Sequence, residues 1–249
     1  MDKAVTHATL KDFATAVGDL ILPRHCYACG RTLTLQERHL CLQCRSDLPY
    51  THFWERTHNP MADKYNARIR EHIPHGEEEP YGAAAALLFY DSGSGYENIP
   101  QSLKYRSALA LGRSFAVELG ARLASSADFA DVDCVIPVPL HWRRRWGRGY
   151  NQAAIIAEQV AAALGALCCR NGLRRLRYTR SQTRVGIEEK ASNVSDAFRV
   201  LRRVGARHIL LIDDTFTTGS TLAACHKALR AVYPPSVRIS VATLSYVGD

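Results

Sequence analysis

No stretch of this 249-residue chain approaches the roughly 18 consecutive apolar residues of a membrane helix. The first residues carry scattered charges rather than the compact apolar core of a secretion signal, so we expect a cytoplasmic protein without membrane insertion. Glycine and proline are scarce, at 16 and 10 residues, and no repeat or low-complexity segment is present. These absences exclude fibrous, disordered and membrane proteins and indicate an ordinary globular chain.

Acidic residues are also scarce between positions 140 and 210, a range we call the basic segment. Fifteen Lys and Arg stand there against four acids, so this part alone carries +11, more than the +8 of the whole chain. Such a concentration favours a phosphate-rich partner, either a small diphosphate or a nucleic acid. A solvated basic face is the alternative interpretation.

Half of the eight cysteines stand in two CxxC pairs separated by eleven residues. We call these four residues the cysteine cluster: Cys26, Cys29, Cys41 and Cys44. Their spacing suits a closed tetrahedral zinc site, and zinc would supply folding energy that the few large aliphatic residues of 24–50 do not. We therefore predict structural zinc. Two disulfides, an iron–sulfur centre, or replacement of one thiolate by His25 or His39 remain alternatives.

The second half of the chain alternates between strand-like and helix-like segments. Predicted strands cover 82–90, 132–138, 166–169, 208–212 and 237–246, and predicted helices cover 99–123, 151–164 and 221–232. This alternation indicates an α/β fold in which helices flank a parallel sheet, with ligands at the carboxyl ends of the strands. We predict three regions: an N-terminal helix with the zinc module over 1–50, a helix-containing linker over 51–80, and the α/β domain over 81–249.

The pattern of Leu210–Thr221 predicts a buried strand that is followed by two carboxylates and by a hydroxyl-rich turn leading into a helix. Backbone N–H groups, hydroxyls and the helix dipole together make a cradle for a phosphate dianion. The candidate ligand-binding residues of this stretch are Thr215, Thr217, Thr218, Gly219, Ser220 and Thr221. Asp213 and Asp214 need hydroxyl, water or cation partners, and a ribose diol supplies hydroxyls. An ordinary capped helix start explains only one acid and one threonine.

Other polar segments belong to the same predicted site because they follow predicted strands or form long basic loops. Pro137 ends one strand shortly before a run of arginines that begins at Arg143 and is suited to neutralising pyrophosphate. A long basic loop further on is suited to closing over the pocket. The remaining candidate ligand-binding residues are Arg180, Gln182 and Lys190 in that loop and Lys104 in the first long helix.

Two resemblances add to this interpretation. The segment Ile212–Gly219 resembles the phosphoribosyl pyrophosphate motif of type I phosphoribosyltransferases, which implies that Asp213 and Asp214 meet the ribose hydroxyls and that the turn holds the 5-phosphate. The ordered segments LKY, IPVPLH, RGYNQ, RYTRSQTR with NVSDAF, and DDTFTTGST resemble the ComF family of competence-associated proteins. The chain departs from that family at Lys190, where arginine is commoner, and in the polar stretch before Pro80.

The resemblance implies a phosphoribosyltransferase fold, phosphoribosyl pyrophosphate with magnesium as ligand, Asp213 and Asp214 as catalytic residues, and a role in DNA uptake or processing. A catalytic protein would transfer the pentosyl group with loss of pyrophosphate, to an acceptor that the sequence leaves open. The alternative is a non-catalytic adaptor for single-stranded DNA and the uptake machinery, which the basic segment favours equally. A glutamine-dependent amidophosphoribosyltransferase is disfavoured, because Asp2 rather than a cysteine follows Met1.

Overall fold

The computed structural model describes residues 22–74, 77–103, 109–140, 150–176 and 197–248. These residues divide into two compact units. The smaller unit combines the chain before Tyr50 with Asp91–Ile99, and the larger unit combines Tyr50–Tyr90 with the chain from Pro100 onward. Among the described residues no helix has both the length and the hydrophobicity to cross a membrane. The predicted N-terminal helix falls within residues 1–21, outside the described residues.

The larger unit is built on a parallel sheet of five strands in the order β1-β7-β6-β2-β3. Its strands are β1 (Ala84–Phe89), β2 (Cys134–Pro137), β3 (Leu167–Cys168), β6 (His208–Phe216) and β7 (Arg238–Tyr246). The inner strands are buried at most positions because both of their faces are covered, as is usual for parallel sheets. A parallel α/β sheet flanked by helices, the predicted fold class, is therefore confirmed.

Six α-helices and one short 3₁₀ helix accompany the strands in the described part of the chain. The helices are α1 (Leu42–Ser46), α2 (Pro60–Arg70), α3 (Asn98–Ser102), α4 (Leu109–Ala124), α5 (Gln152–Leu164) and α6 (Ser220–Arg230), and the 3₁₀ helix is Phe53–Glu55. Asn151 caps α5 by accepting a hydrogen bond from the Ala153 N–H at 3.2 Å. The sequence predicts one helix over 99–123, whereas α3 ends at Ser102 and α4 begins at Leu109.

A separate two-stranded antiparallel ribbon consists of β4 (Leu173–Arg175) and β5 (Phe198–Val200). Its last residue pair joins Arg175 to Phe198. The ribbon thus brackets residues 177–196, the predicted basic loop, which lie outside the described residues.

Residues 51–80, predicted as a helix-containing linker, contain α2, which packs into the larger unit. Met61 and Tyr65 of α2 are fully buried. The Asn59 side chain donates to the Ala84 carbonyl of β1 at 2.9 Å, and Asn66 both donates to and accepts from the backbone of Gly82 at 2.9 Å. These two asparagines thus hydrogen-bond the main chain at and just before β1.

Two buried polar groups lie apart from the carboxyl ends of the strands. His208, 1% exposed at the start of β6, contacts the Asp131 carboxylate and the Ser240 hydroxyl, each at 2.8 Å. The Glu79 carboxylate, whose side chain is 6% exposed, accepts from His226 Nε2 at 3.0 Å and from Arg230 Nε at 3.1 Å. Hydrogen bonds from Arg230 and His226 lower the pKa of Glu79 against the opposing effect of burial.

Candidate functional site

A polar cleft of about 460 Å³ opens at the carboxyl ends of the parallel strands in the larger unit. It is lined by residues that follow or end β1, β2, β6 and β7, by the start of α5, and by β4. These residues are Tyr90, Val138, Pro139, Leu140, Asn151, Gln152, Ala153, Arg175, Asp213, Asp214, Thr215, Thr217, Thr221 and Val247. Ligands of open parallel sheets bind at this edge, so we refer to this cavity as the cleft and treat it as the candidate site.

The two adjacent aspartates sit inside β6 rather than after it. The predicted strand stops at Ile212, but β6 continues to Phe216 because β7 runs beside it, with Asp213 opposite Thr243 and Phe216 opposite Tyr246. Both carboxylates are therefore carried by backbone that is hydrogen-bonded into the sheet. Their position is fixed before any ligand arrives.

Burial raises the pKa of Asp213 well above its ordinary value, and the neighbouring charge of Asp214 raises it further. A hydrogen bond of 2.9 Å from the Asp214 N–H to Asp213 Oδ1 and the positive charge of Arg175 oppose this rise only in part. A carboxyl with a raised pKa gains from a hydroxyl or cation partner that stabilises its ionised form. The pair is thus suited to receiving a diol or a hydrated cation.

The turn after β6 carries hydroxyls to the start of α6. Thr215 Oγ1 lies 3.0 Å from Ser245 Oγ, and Thr218 Oγ1 lies 3.0 Å from Ser220 Oγ. Gly219, the residue before α6, has φ of 76°, a left-handed conformation that favours glycine. An added Cβ there would lie 2.7 Å from the Phe216 ring, so the turn closes tightly on that side chain.

The opposite wall of the cleft comes from the end of β2 and the start of α5. The Val138 N–H donates to the Ile212 carbonyl at 2.8 Å, which extends the β2–β6 ladder by one residue. Asn151 Nδ2 donates to the Val138 carbonyl at 3.0 Å, and this bond fastens the first turn of α5 to the strand end. Pro137 is the buried last residue of β2 and lies behind this wall.

The structure brings together part of the predicted site. Asp213, Asp214, Thr215, Thr217 and Thr221 all line the cleft. Thr218 and Gly219 of the adjoining turn and Ser220, the first residue of α6, are not among the described lining residues. Pro137, also predicted to bind the ligand, is described but is not among the lining residues. The remaining predicted ligand-binding residues lie outside the described residues: Lys104, Arg143, Arg180, Gln182 and Lys190.

Sequence reasoning missed several lining residues. Tyr90 follows β1, where its N–H donates to the Tyr246 carbonyl at 2.7 Å, and Val247 follows β7. Both could have been found from the rule that residues just after parallel strands line the binding edge. Arg175 carried no such signal, since it is one of many arginines in the basic segment.

The cysteine cluster forms in the smaller unit as the spacing predicts. One potential ligand atom from each of the four residues lies within 4.8 Å of the others. Zn–S bonds of about 2.3 Å place tetrahedral thiolates about 3.8 Å apart, and Cys29 Sγ lies 3.8 Å from Cys41 Sγ. Backbone hydrogen bonding by Cys44 lowers the pKa of Cys41 to about 6, whereas burial raises the pKa of Cys44, so zinc binding is inferred from the spacing of the sulfur atoms. The cluster therefore fits a structural zinc ion.

The segment Asp91–Ile99 packs onto this cysteine module. Asn98 Nδ2 donates to the Tyr27 carbonyl at 2.8 Å, and the Tyr96 hydroxyl donates to the Cys44 carbonyl at 3.2 Å. Gly95, with φ of 83°, approaches Ala28 so closely that an added Cβ would lie 2.2 Å from the Ala28 carbonyl oxygen. The smaller unit thus consists of two chain segments that are distant in sequence.

The sheet, the flanking helices and the polar cleft at the carboxyl edge define an α/β protein with a candidate ligand site of two carboxylates and clustered hydroxyls. No known family model matches the chain. It is 30% identical over 205 residues to DNA utilization protein YhgH of Shigella flexneri, covering 80% of each chain. It is 32% identical over 110 residues to Competence protein F of Haemophilus influenzae, covering 43% of this chain and 48% of that protein. The chain belongs to the ComF family, which confirms the resemblance found in the sequence.

Two solved structures also resemble the chain. The Bacillus subtilis glutamine phosphoribosylpyrophosphate amidotransferase, complexed with ADP and GMP, is 22% identical, with a TM-score of 0.34 over 52% of this chain and 26% of that one. The orotate phosphoribosyltransferase of Aeropyrum pernix is 16% identical, with a TM-score of 0.33 over 73% of this chain and 78% of that one.

Proposed function

We propose that the cleft binds phosphoribosyl pyrophosphate with magnesium, and that the protein serves the uptake or processing of DNA. The observation that carries the ligand assignment is the convergence of Asp213 and Asp214 with the hydroxyls of Thr215, Thr217 and Thr221 in one cavity. Carboxylates accept hydrogen bonds from a ribose diol. Hydroxyls, together with backbone N–H groups at a helix start, donate to a phosphate.

The donor set of the cleft also fits magnesium. This ion prefers oxygen ligands, keeps several waters, and is commonly bound by one or two carboxylates together with substrate phosphates. Asp213 and Asp214 supply carboxylate oxygens in the cleft, and magnesium would offset the charge of the diphosphate. The fixed position of these acids in β6 orients the sugar whether or not a transfer reaction follows.

The role in DNA metabolism is drawn from relatives whose names refer to competence and to DNA utilization. The wild type and Asp213→Asn/Asp214→Asn can each be expressed in a strain that lacks this protein. If only the wild type restores DNA uptake, the cleft is required for the role in DNA uptake. Equal recovery of DNA uptake by both proteins would show that DNA uptake does not depend on the cleft.

Calorimetric titration with phosphoribosyl pyrophosphate and magnesium tests the ligand assignment directly. We expect binding by the wild type and at least about tenfold weaker binding by Asp213→Asn/Asp214→Asn, because hydrogen bonds to a charged group each contribute about 1.5–3 kcal/mol. Asp128→Asn is the matched control, since Asp128 precedes β2 and is not among the described lining residues. Equal affinity of the double variant and the wild type would contradict the proposal.

A nucleic-acid adaptor is the second candidate, and one observation favours it. Six arginines of the basic segment are exposed in the described residues: Arg170, Arg174, Arg199, Arg202, Arg203 and Arg207. Arginines neutralise DNA phosphates and make affinity fall as salt rises. Binding of single-stranded DNA that weakens with salt, without turnover of phosphoribosyl pyrophosphate in the presence of nucleobases, would favour the adaptor. Turnover would favour the transferase.

A further inference from the structure

We propose that one face of the β4–β5 ribbon binds an acidic, partly apolar segment of a partner protein. We call this surface the outer face, and it consists of Arg174, Leu176, Arg199 and Leu201. All four side chains are exposed, the two leucines at 50% and 54%. None of the four lines the cleft, so the inference goes beyond the proposed function and does not depend on it.

The register of the ribbon brings these four side chains together. Arg174 of β4 lies directly opposite Arg199 of β5. The ribbon continues by one backbone hydrogen bond at each end, donated by the N–H groups of Leu176 and Leu201 at 2.7 and 3.0 Å. Side chains two residues apart on a strand share a face. Because the strands are antiparallel, one leucine lies on each side of the central arginine pair.

The other face of the ribbon forms its own core. Leu173 and Phe198 are 3% and 6% exposed, and β5 packs against α6. Leu176 and Leu201 therefore add little to the packing of the ribbon. A partner that covers these two leucines would gain free energy from the burial of apolar surface.

The arginine pair is electrostatically unfavourable in the free protein. Like charges directly opposite each other on paired strands destabilise the pairing, and neither Arg174 nor Arg199 has an acidic partner among the described residues. By contrast, Arg207 in the same basic segment pairs with Asp133 at 3.5 Å. A carboxylate that accepts hydrogen bonds from both guanidinium groups would relieve the repulsion. The outer face thus has the charge that suits an acidic partner.

Two observations favour a peptide over a nucleic acid. Proteins that bind single-stranded DNA commonly offer exposed aromatic rings on which bases stack, whereas the aromatic residues nearest the outer face, Phe198 and Tyr233, are 6% and 3% exposed. An extended peptide repeats its side chains on one face about every 6.6 Å, the distance that two residues span on a strand. This repeat matches the spacing of the leucines from the arginines. We expect the partner segment to carry an acidic residue with an apolar residue two positions away on each side.

Fluorescence anisotropy of labelled peptides, titrated with the full chain, tests this assignment. The probe is a synthetic peptide in which leucine, glutamate and leucine occupy alternate positions, and control peptides carry glutamine for glutamate or serine for leucine. We expect the probe to bind at least about tenfold more tightly than either control peptide. Arg174→Gln/Arg199→Gln should weaken binding of the probe at least about tenfold, and Leu176→Ser/Leu201→Ser should weaken it about three- to tenfold.

Arg207→Gln is the matched control variant, because it removes an exposed arginine of the basic segment that lies outside the outer face and already has a carboxylate partner. Its affinity for the probe should equal that of the wild type. Removing the like-charge pair relieves a repulsion, so Arg174→Gln/Arg199→Gln should unfold at a temperature no lower than the wild type does. A loss of binding in that variant then reflects the lost contacts and not misfolding.

Three outcomes overturn the assignment. The first is that the wild type does not bind the probe, and the second is that the arginine variant binds it with unchanged affinity. The third is that single-stranded oligothymidylate binds more tightly than the probe and loses affinity only in the arginine variant, because the outer face would then serve a nucleic acid.

Discussion

Replacing Gly219 with alanine probes how tightly the turn between β6 and α6 is constrained. The change has two costs that the structure separates. An alanine held at φ of 76° is in the left-handed region, which costs an L-residue about 1 kcal/mol. Its Cβ would also lie 2.7 Å from Phe216 Cζ, and relieving such an overlap in a packed site costs about 1–3 kcal/mol.

Gly165→Ala supplies the control, because Gly165 caps α5 at φ of 64° and an added Cβ there meets nothing within 4 Å. Both variants equally restrict the unfolded chain, so this contribution cancels when they are compared. We expect Gly165→Ala to lower the free energy of unfolding by about 1 kcal/mol, and Gly219→Ala to lower it by about 2–4 kcal/mol.

Urea denaturation followed by circular dichroism measures both free energies, and titration with ribose 5-phosphate measures the consequence for the cleft. Because the Phe216 ring must move to admit the methyl group, the N–H groups of the turn should also shift. Only the Gly219 variant should therefore lose affinity. If the two variants are equally stable and bind equally well, the close contact with Phe216 does not constrain the turn.

Three further perturbations have defined outcomes. Burial holds the pKa of His208 below its usual 6.5, so the folded state favours the neutral ring. The contribution of His208 to stability should be fully present above pH 6.5 and should decline as the pH falls towards the folded pKa. Urea titrations at several pH values should therefore show a free energy of unfolding that depends less on pH in His208→Gln than in the wild type. Glu79→Gln should cost about 3–5 kcal/mol of unfolding free energy because it leaves the charge of Arg230, whose side chain is 15% exposed, without a carboxylate partner, whereas Glu71→Gln, in an exposed ion pair, should change it by less than about 1 kcal/mol. Cys41→Ser should lower bound zinc from about one ion per chain to near none after dialysis, as measured by metal analysis, and a full retained equivalent would refute a tetrathiolate site.

Much of the architecture follows from local sequence pattern. Alternating apolar segments predicted every strand of the parallel sheet, and the spacing of two CxxC pairs predicted the cysteine cluster. The end of β6 was missed because Asp213, Asp214 and Thr215 are poor strand formers in isolation. The neighbouring strand β7 provides hydrogen-bond partners as far as Tyr246. Such pairing between strands that are distant in sequence cannot be predicted from local strand propensity.

Two other differences between the predicted and the observed structure also arise from contacts between segments that are distant in sequence. The polarity, the His and Glu content and the bracketing prolines of residues 51–80 indicate a linker, since polarity alone does not reveal that Asn59 and Asn66 hydrogen-bond a neighbouring backbone. Arg175 is one of fifteen basic residues between positions 140 and 210. Only the pairing of β4 with β5 distinguishes it, by turning one of two successive arginines towards the acids.

The two-segment composition of the smaller unit has a consequence for biosynthesis. A ribosome releases the metal-binding thiols well before it makes Tyr96 and Asn98, and strand β1 emerges in between. The module that holds the cysteines therefore cannot reach its final packing until the first strand of the other unit has already been synthesised. If either segment is expressed without the other, the surface that contacts the missing segment is exposed. A shortened protein that contains only this module must therefore include both segments.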